Sequence, residues 1–535
     1  MRKTIAIAAI GLTSVLLLAQ ERIDLNVIHK IKTAELGNGS QVMEIMHKLT
    51  DQYGPRLTNS PQYWAAGDWA ISQMKEWGLT DPHREAWATP KDNPIPSWEV
   101  KSYSGAMVEP TYMPIIGVPV AWTGGTNGPV TGEAILAQIQ TAADMETFHG
   151  KLAGKYVLTS AVPELAFPTT PLASRYTPEQ LSELSTELIP TGAAGGRGGR
   201  GGAAGRGGRA GATNPEEFRA LQEKMRSFFK DEKVAGTLTA NERGQSGTLF
   251  GGGAQNRMDT TNVPQISITA EHYNRIARLL QHNTAVKLMF DIKTQFDTNK
   301  TESFNIVAEI PGTTKKDEVV MVGGHFDSWH YGTGATDNAA GSAVAMEVMR
   351  LLKTLNVKMD RTVRIGLWGG EEEGLLGSKA YVTQHFADTA DMKVKPEHAK
   401  LSGYFNIDNG TGKIRGVYLQ GNEMMRPVFE QWFGAMKDLT NGAVTIRNTG
   451  GTDHLSFVGV GIPGFQFIQD PMDYDTRTHH SNMDVYDRIQ PGDMKQMAIV
   501  EAAFVYLTAT RPDMLPRVDL PAPAPAGGRG GRGGN

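Results

Sequence analysis

The sequence predicts an α/β protein: a mixed, largely parallel sheet with helices on both faces, accompanied by a small β-rich unit. Three observations predict it. From about Thr301 to Thr508, apolar strand-like runs alternate with helical runs, the rhythm of a parallel sheet covered on both sides. Upstream, over 123–297, strand-like runs recur with few helices between them. The 535 residues, 40% of them hydrophobic, are too many for one ordinary domain and enough for sizeable cores.

Taken in order, residues 36–80 read as helical. Ala66, Ala70, Met74 and Trp77 recur at helical spacing, and Gly78 supplies a stop. From Pro90 to Gly132 the chain is rich in Pro and Gly, with short alternating runs such as Val118-Pro119-Val120-Ala121-Trp122, which suit strands and turns. In the second unit, 155–158, 265–268 and 286–292 are expected strands, and 270–281 a short amphipathic helix. Beyond Thr301 the expected strands are 318–322, 362–368, 403–407 and 464–468. The expected helices are 339–355, 376–386, 425–439 and 490–508. The implied division is an export signal (1–19), a first part of the α/β domain (20–122), the β-rich unit (123–297), the rest of the α/β domain (298–512) and a tail (513–535).

Arg2 and Lys3 followed by the apolar or small run 5–19, and then at once by Gln20, Glu21 and Arg22, suit an export signal better than a membrane span. Ala19 is the expected cleavage position, although Leu17 fits the small-x-small rule poorly; an uncleaved anchor is the alternative. The expected location is therefore periplasmic or extracellular, with no stable membrane anchor once the signal is removed. There are no cysteines, which excludes disulfides, thiolate ligands, a Cys nucleophile and a lipoprotein anchor. A net charge of −4 suggests neither a nucleic-acid nor a membrane-surface partner. The Gly/Ala/Arg tract 192–212 and the tail from Pro521 resemble RNA-binding repeats in composition only. They lack aromatics, and solvated loop and tail is the expectation.

The chemistry resides in His325, Asp337, Glu372, Asp408 and His480, with Glu371 beside the central Glu. Each lies near a predicted strand end or in a loop that reaches the same rim, where sites form in open α/β sheets. One carboxylate can bridge two cations while the other four ligands divide two and two, leaving open positions for water. Glu371 is then spare as general base. Singly, each residue has a plainer explanation: a loop His on the surface, Asp337 as a helix N-cap, Glu371 to Glu373 as an acidic first helical turn. Their order and joint placement argue otherwise.

Four segments carry a resemblance: Gly324-His325-Phe326-Asp327-Ser328, Ala335-Thr336-Asp337-Asn338-Ala339-Ala340-Gly341, Glu371-Glu372-Glu373-Gly374-Leu375-Leu376-Gly377-Ser378, and His479-His480-Ser481 with Asp484. Gly54-Pro55-Arg56-Leu57-Thr58 and Gly451-Thr452-Asp453-His454 support it. The chain resembles the M28 family of zinc peptidases over residues 36–510, most closely the carboxypeptidase Q branch. The resemblance implies the zinc exopeptidase fold, with the β-rich unit as an inserted protease-associated (PA) domain, and two zinc ions per chain. It implies Asp337 as the bridging carboxylate, His325 and Asp408 at one metal, Glu372 and His480 at the other, Glu371 as the base, and Asp327 orienting His325. Glu372 with Glu373, or His479 for His480, are the alternative registers. The expected substrate is a short peptide or dipeptide, cut as by an aminopeptidase, dipeptidase or carboxypeptidase. Trp329, His330, Tyr331, Tyr474 and Arg477 are candidates for the pocket, and the β-rich unit for restricting access or forming a homodimer contact. A glutaminyl cyclase-type single-zinc enzyme and an inactive binding relative are the rivals, but the ligand set is complete. A Ser hydrolase is disfavoured because no Gly-x-Ser-x-Gly elbow occurs in the α/β half.

Overall fold

A computed structural model describes residues 21–139, 141–189 and 215–523. The expected export signal (1–19), the 192–212 tract and the tail beyond 523 lie outside the described residues. The first of two sheets has eight strands in the order Thr80–Ala88, Glu302–Ile310, Arg361–Trp368, Lys315–His325, Leu401–Asn406, Gly464–Gln469, Ile414–Tyr418, Ala443–Thr445. The middle four run parallel to one another; antiparallel pairs join Glu302–Ile310, Thr80–Ala88 and Ile414–Tyr418 to them in turn, and Ala443–Thr445 pairs parallel to Ile414–Tyr418. The carboxyl ends of the four parallel strands therefore share one edge, the rim on which the candidate residues lie.

Side-chain alternation explains why both faces of this sheet are covered. Val320, Val322, Val363 and Ile365 face one core with Phe405, Phe465 and Phe467, against Val344 and Val348 of the helix Ala340–Thr354 and Phe504 of the helix Pro491–Thr510. Met321, Trp368 and Tyr404 face the other core, against Tyr381 and Phe457. The Pro491–Thr510 helix is buried along nearly its whole length, and Phe504 meets the rings of Phe405, Phe429, Trp432, Phe433 and Phe467. Each such fully buried apolar side chain contributes about 1.5–3 kcal/mol.

The second sheet also has eight strands, in the order Met113–Pro114, Ser97–Glu109, Lys287–Asp297, Val130–Leu136, Tyr156–Leu158, Gly236–Thr239, Gln265–Ile268, Gly117–Pro119. Its core sets Leu288, Phe290 and Ile292, alternate residues of one strand, against Tyr273, Ile276 and Ala277 of the helix Ala270–Gln281. A further cluster, Leu57, Trp98, Trp122, Leu249, Trp329 and Tyr331, joins the two sheets.

Several elements differ from expectation. Ser97–Glu109 is a single 13-residue strand of the second sheet, so that sheet starts upstream of Thr123. Two register shifts in its pairing blur the alternation by which a long strand is recognised. The edge strand Thr80–Ala88 was hidden by Pro82 and by an irregularity between Thr80 and His83. The helix Pro215–Asp231 was not foreseen. The helix expected over 425–439 runs only Arg426–Gly434 and then breaks into turns. Among the described residues, no helix is long and apolar enough to cross a membrane.

Glu35 packs into this core beside Glu347, itself paired to Arg350 at 2.6 Å, and accepts a hydrogen bond from the Ser40 hydroxyl at 2.7 Å. Burial, reinforced by Glu347, raises the Glu35 carboxyl to about 9. An acid raised on folding contributes stability that is complete below its unfolded value and is lost as pH rises through the folded one. Glu35→Gln keeps the hydrogen bonds without the titration. Its denaturant midpoint, measured from pH 5 to 9, is expected to gain on the wild type steadily toward pH 9. A constant difference between the two proteins would contradict the proton held by Glu35.

Candidate metal centre

Each candidate is placed by a local feature of the backbone. His325 ends its strand, in register with Trp368 on the neighbouring strand, and the Phe326 N–H donates to the Trp368 carbonyl. After Trp368 the chain turns through Gly370, whose φ of +68° and contact with the Trp87 ring exclude a side chain, and so delivers Glu371 and Glu372 to the same edge. Asp408 follows the strand Leu401–Asn406 by two residues. Asp337 lies in a short turn, Ala335–Ala339, before the Ala340–Thr354 helix. Asn338 ties this turn to the Asp408 strand end: its Nδ2 donates to the Ile407 carbonyl at 2.7 Å, and its Oδ1 accepts from the Gly341 N–H. His480 sits in the loop after Gly464–Gln469, with a left-handed φ of +60°.

These elements bring together all six residues. His325 Nε2 lies 3.3 Å from Asp408 Oδ1 and 3.3 Å from Asp337 Oδ1. The other oxygen of Asp337, Oδ2, lies 3.3 Å from His480 Nε2, which is 2.8 Å from Glu372 Oε2. The His325, Asp337 and Asp408 ligand atoms lie within 4.8 Å of one another, as do those of Asp337, His479 and His480. His479 is thus a neighbour as well, 3.7 Å from Asp337 Oδ2 and with its ring against that of His480. The 2.8 Å approach to Glu372 distinguishes His480.

Asp327 takes a broader part than the sequence suggests. Its backbone carbonyl accepts from His325 Nδ1 at 3.0 Å, leaving Nε2 to face the carboxylates. Its carboxylate, 3.7 Å from the same ring, instead accepts the Glu371 and Glu372 N–H groups at 3.2 and 3.3 Å. Asp484 supports Asp337 in the same way: its two oxygens accept from the N–H groups of Thr336 and Asp337. Arg56, fully buried, went unrecognised as a positioning residue. Its guanidinium donates to the carbonyls of Leu49, Phe326, Thr333 and Gly334, lashing the His325 and Asp337 segments together. Arg56 was visible in the sequence only as part of a motif; no local pattern shows that its partners are carbonyls some 270 residues away.

The electrostatics follow from burial. Burial raises Glu371 well above the ordinary carboxylate range, with Asp408, Glu372 and Asp453 adding to it against His325. Burial likewise raises Glu372, with Asp337 adding, and lifts Glu373 and Asp453 to about 7. For Asp337 the burial penalty is outweighed by His325, His479 and His480, which hold it well below its usual value. For His325 burial opposes the proton, but Asp408 and Glu371 overcome that and raise it well above the usual imidazole value. The pocket therefore holds more buried acid than its arginine and imidazoles neutralise. Asp337 Oδ2 and Glu372 Oε1 are buried without a hydrogen-bond donor. Carboxylate oxygens and imidazole nitrogens, with no thiolate, form a donor set that fits zinc or a similar divalent ion.

The pocket candidates separate. Trp329 packs its ring near His480, and Tyr474 packs against His479. His330 is instead structural: Nε2 bonds the Pro119 carbonyl at 2.7 Å, and burial lowers it to about 4. Tyr331 is also a packing residue, its hydroxyl within 3.2 Å of Ser267 and 3.3 Å of the Gly252 carbonyl. Arg477 is half-buried in the loop before His480.

Residues 305–505 match the profile of the family described as Peptidase family M28. Over these residues the chain is similar to peptidase family M28. Human carboxypeptidase Q is 31% identical over 256 residues, covering 48% of this chain and 52% of that protein, so the chain spans about half the length of the curated relatives it matches. A solved M28 peptidase precursor from Shewanella amazonensis shares the fold with a TM-score of 0.64 at 22% identity, over 93% of this chain and 99% of that one. A structure described as BSAP, a zinc aminopeptidase from Bacillus subtilis, gives 0.52 at 18% identity, over 88% and 94%. These two likenesses bear on the fold, an α/β arrangement with two mixed sheets.

Arg56→Met would remove the guanidinium donor from four carbonyls, three of them in buried bonds. A loss of about 3 kcal/mol or more is expected, read as a lower urea midpoint at unchanged slope. An unchanged midpoint would show that the Arg56 bonds are dispensable.

Proposed function

We propose that the chain is a di-zinc exopeptidase that hydrolyses peptide bonds near the terminus of short peptides or dipeptides, in the manner suggested by the names of its carboxypeptidase Q and aminopeptidase relatives. The observation that carries this reading is the placement of Asp337. Its two oxygens face different imidazoles at 3.3 Å, each imidazole with a further carboxylate, so one side chain serves two ligand sets. In this reading His325 and Asp408 hold one ion, Glu372 and His480 the other, and Asp337 both. Two such cations, when bound, lower the pKa of a water and polarise a scissile carbonyl.

The remaining work falls to the chain itself. Glu371 is buried, and the Asp327 carboxylate accepts from its backbone N–H. A carboxyl whose proton affinity is raised by burial suits taking a proton from the attacking water and returning it to the leaving amine. Trp329, against the His480 ring, offers an apolar wall to the substrate. On sequence grounds we also read the second sheet and its helices as a PA-like insert, and the protein as exported, periplasmic or extracellular. A homodimer formed through that unit belongs to the same reading.

The test is a panel of dipeptides and amino-acid amides with free and blocked termini, with and without added zinc. Hydrolysis abolished by chelator and restored by zinc is expected. The terminus whose blocking stops cleavage separates aminopeptidase from carboxypeptidase action. Glu371→Ala should keep its metal while turnover falls by about 10²-fold or more. Near-normal turnover in that variant would remove Glu371 as base, and a panel without chelator-sensitive cleavage would remove the reading as a whole.

A further inference from the structure

The two ligand sets are built differently. His325 and Asp408 stand at ends of adjacent parallel strands of the first sheet. His480 stands in a long loop whose stretch around His480 is held largely by the second sheet's unit, while Asp484 further on holds the Thr336 and Asp337 N–H groups. The Gly251 N–H donates to the His480 carbonyl at 3.1 Å, Phe250 pairs with Ser481 as an antiparallel bridge, and the Asn482 N–H donates to the Leu249 carbonyl at 3.2 Å. Asn482 adds its side chain: Oδ1 accepts from the Leu249 N–H at 2.9 Å and Nδ2 donates to the Gly247 carbonyl at 3.1 Å.

We infer that the 247–251 segment is a positioning clamp for His480, with Asn482 as its central residue. The inference rests on the di-zinc reading above. His480 has a φ of +60°, which non-glycine residues adopt at a cost, so its ring direction depends on partners that hold the backbone there. The clamp is itself anchored. Leu249 is buried in the cluster that joins the sheets, and Gly251 lies so close to Tyr331 that a Cβ would sit 1.9 Å from its ring. Further along the same loop, the Arg243 guanidinium donates to the Asp475 carbonyl at 2.8 Å while lying over the Phe250 ring. The second unit thereby supports one ligand set from outside the α/β domain, while His325 and Asp408 of the other set are placed by the parallel strands.

Metal-free full-length protein is titrated with zinc against a chromophoric chelator. Two uptake steps are expected for the wild type. Asn482→Ala should weaken one step by about tenfold or more and leave the other nearly unchanged, the loss typical when a residue that orients a ligand is removed. Asn482→Asp keeps the acceptor for the Leu249 N–H and loses the donor, so it should show a smaller loss at the same step. This second variant also serves if Asn482→Ala fails to fold. Asn274→Ala is the control: Asn274 is a buried Asn of the same unit that donates to the Pro163 carbonyl at 2.8 Å. It should lower the melting temperature without moving either step. Asn482 variants that bind both ions as the wild type does would overturn the clamp alone. A wild type that never takes up a second ion would overturn the di-zinc reading and the clamp together.

Discussion

Glu371, Glu372, Asp337 and Asp408 crowd around His325 and His480 in a region from which water is largely excluded. Like charges so close and so buried cannot all ionise unless positive charge lies among them. The structure has little to spare: Arg56 spends its donors on backbone carbonyls, and the Arg257 charge acts on Glu373. Without cations the acids are left to hold protons, as the raised Glu371 and Glu372 indicate. Two divalent ions, as proposed, would resolve the same imbalance without protons, and that is the physical basis of the proposed chemistry.

The fold supplies the geometry this imbalance needs. Four parallel strands end at one edge, so residues far apart in sequence arrive together without any long loop having to find its way. The backbone around the site is then fixed by acids that are not themselves candidate ligands. Asp327 gathers the Glu371 and Glu372 N–H groups, and Asp484 gathers those of Thr336 and Asp337. Rigid acceptors of this kind let a site hold closely spaced ligands before any ion arrives. His480 is held differently, since its loop leans on the second sheet's unit as well as on the Asp484 contacts to the Asp337 segment.

Legibility in the sequence followed the range of the interaction. The strands Lys315–His325, Arg361–Trp368 and Gly464–Gln469 could be read because both their faces are buried, which makes them continuous apolar runs. Thr80–Ala88 could not, because an edge strand with a proline at an irregularity shows no period. Ser97–Glu109 reads as short runs because two register shifts break its alternation. The candidate ligands were legible by type and order, since metal chemistry restricts the residues that can serve. Arg56 and Asn482 were not, because their partners are main-chain atoms, and a backbone carbonyl leaves no trace in the amino-acid string.

By itself the sequence determined the α/β class, the carboxyl-edge location of His325, Glu371, Glu372 and Asp408, and a donor set of nitrogen and oxygen without sulfur. Those properties depend on local periodicity and on which side chains are present. Only the tertiary structure decided that Asp337 turns one oxygen to each imidazole, that the Asp327 carboxylate serves the glutamate loop more than the His325 ring, and that His330 and Tyr331 are packing residues. Each of these depends on the direction of a side chain relative to groups brought close by folding, and the spacing of residues along a chain does not encode direction in space.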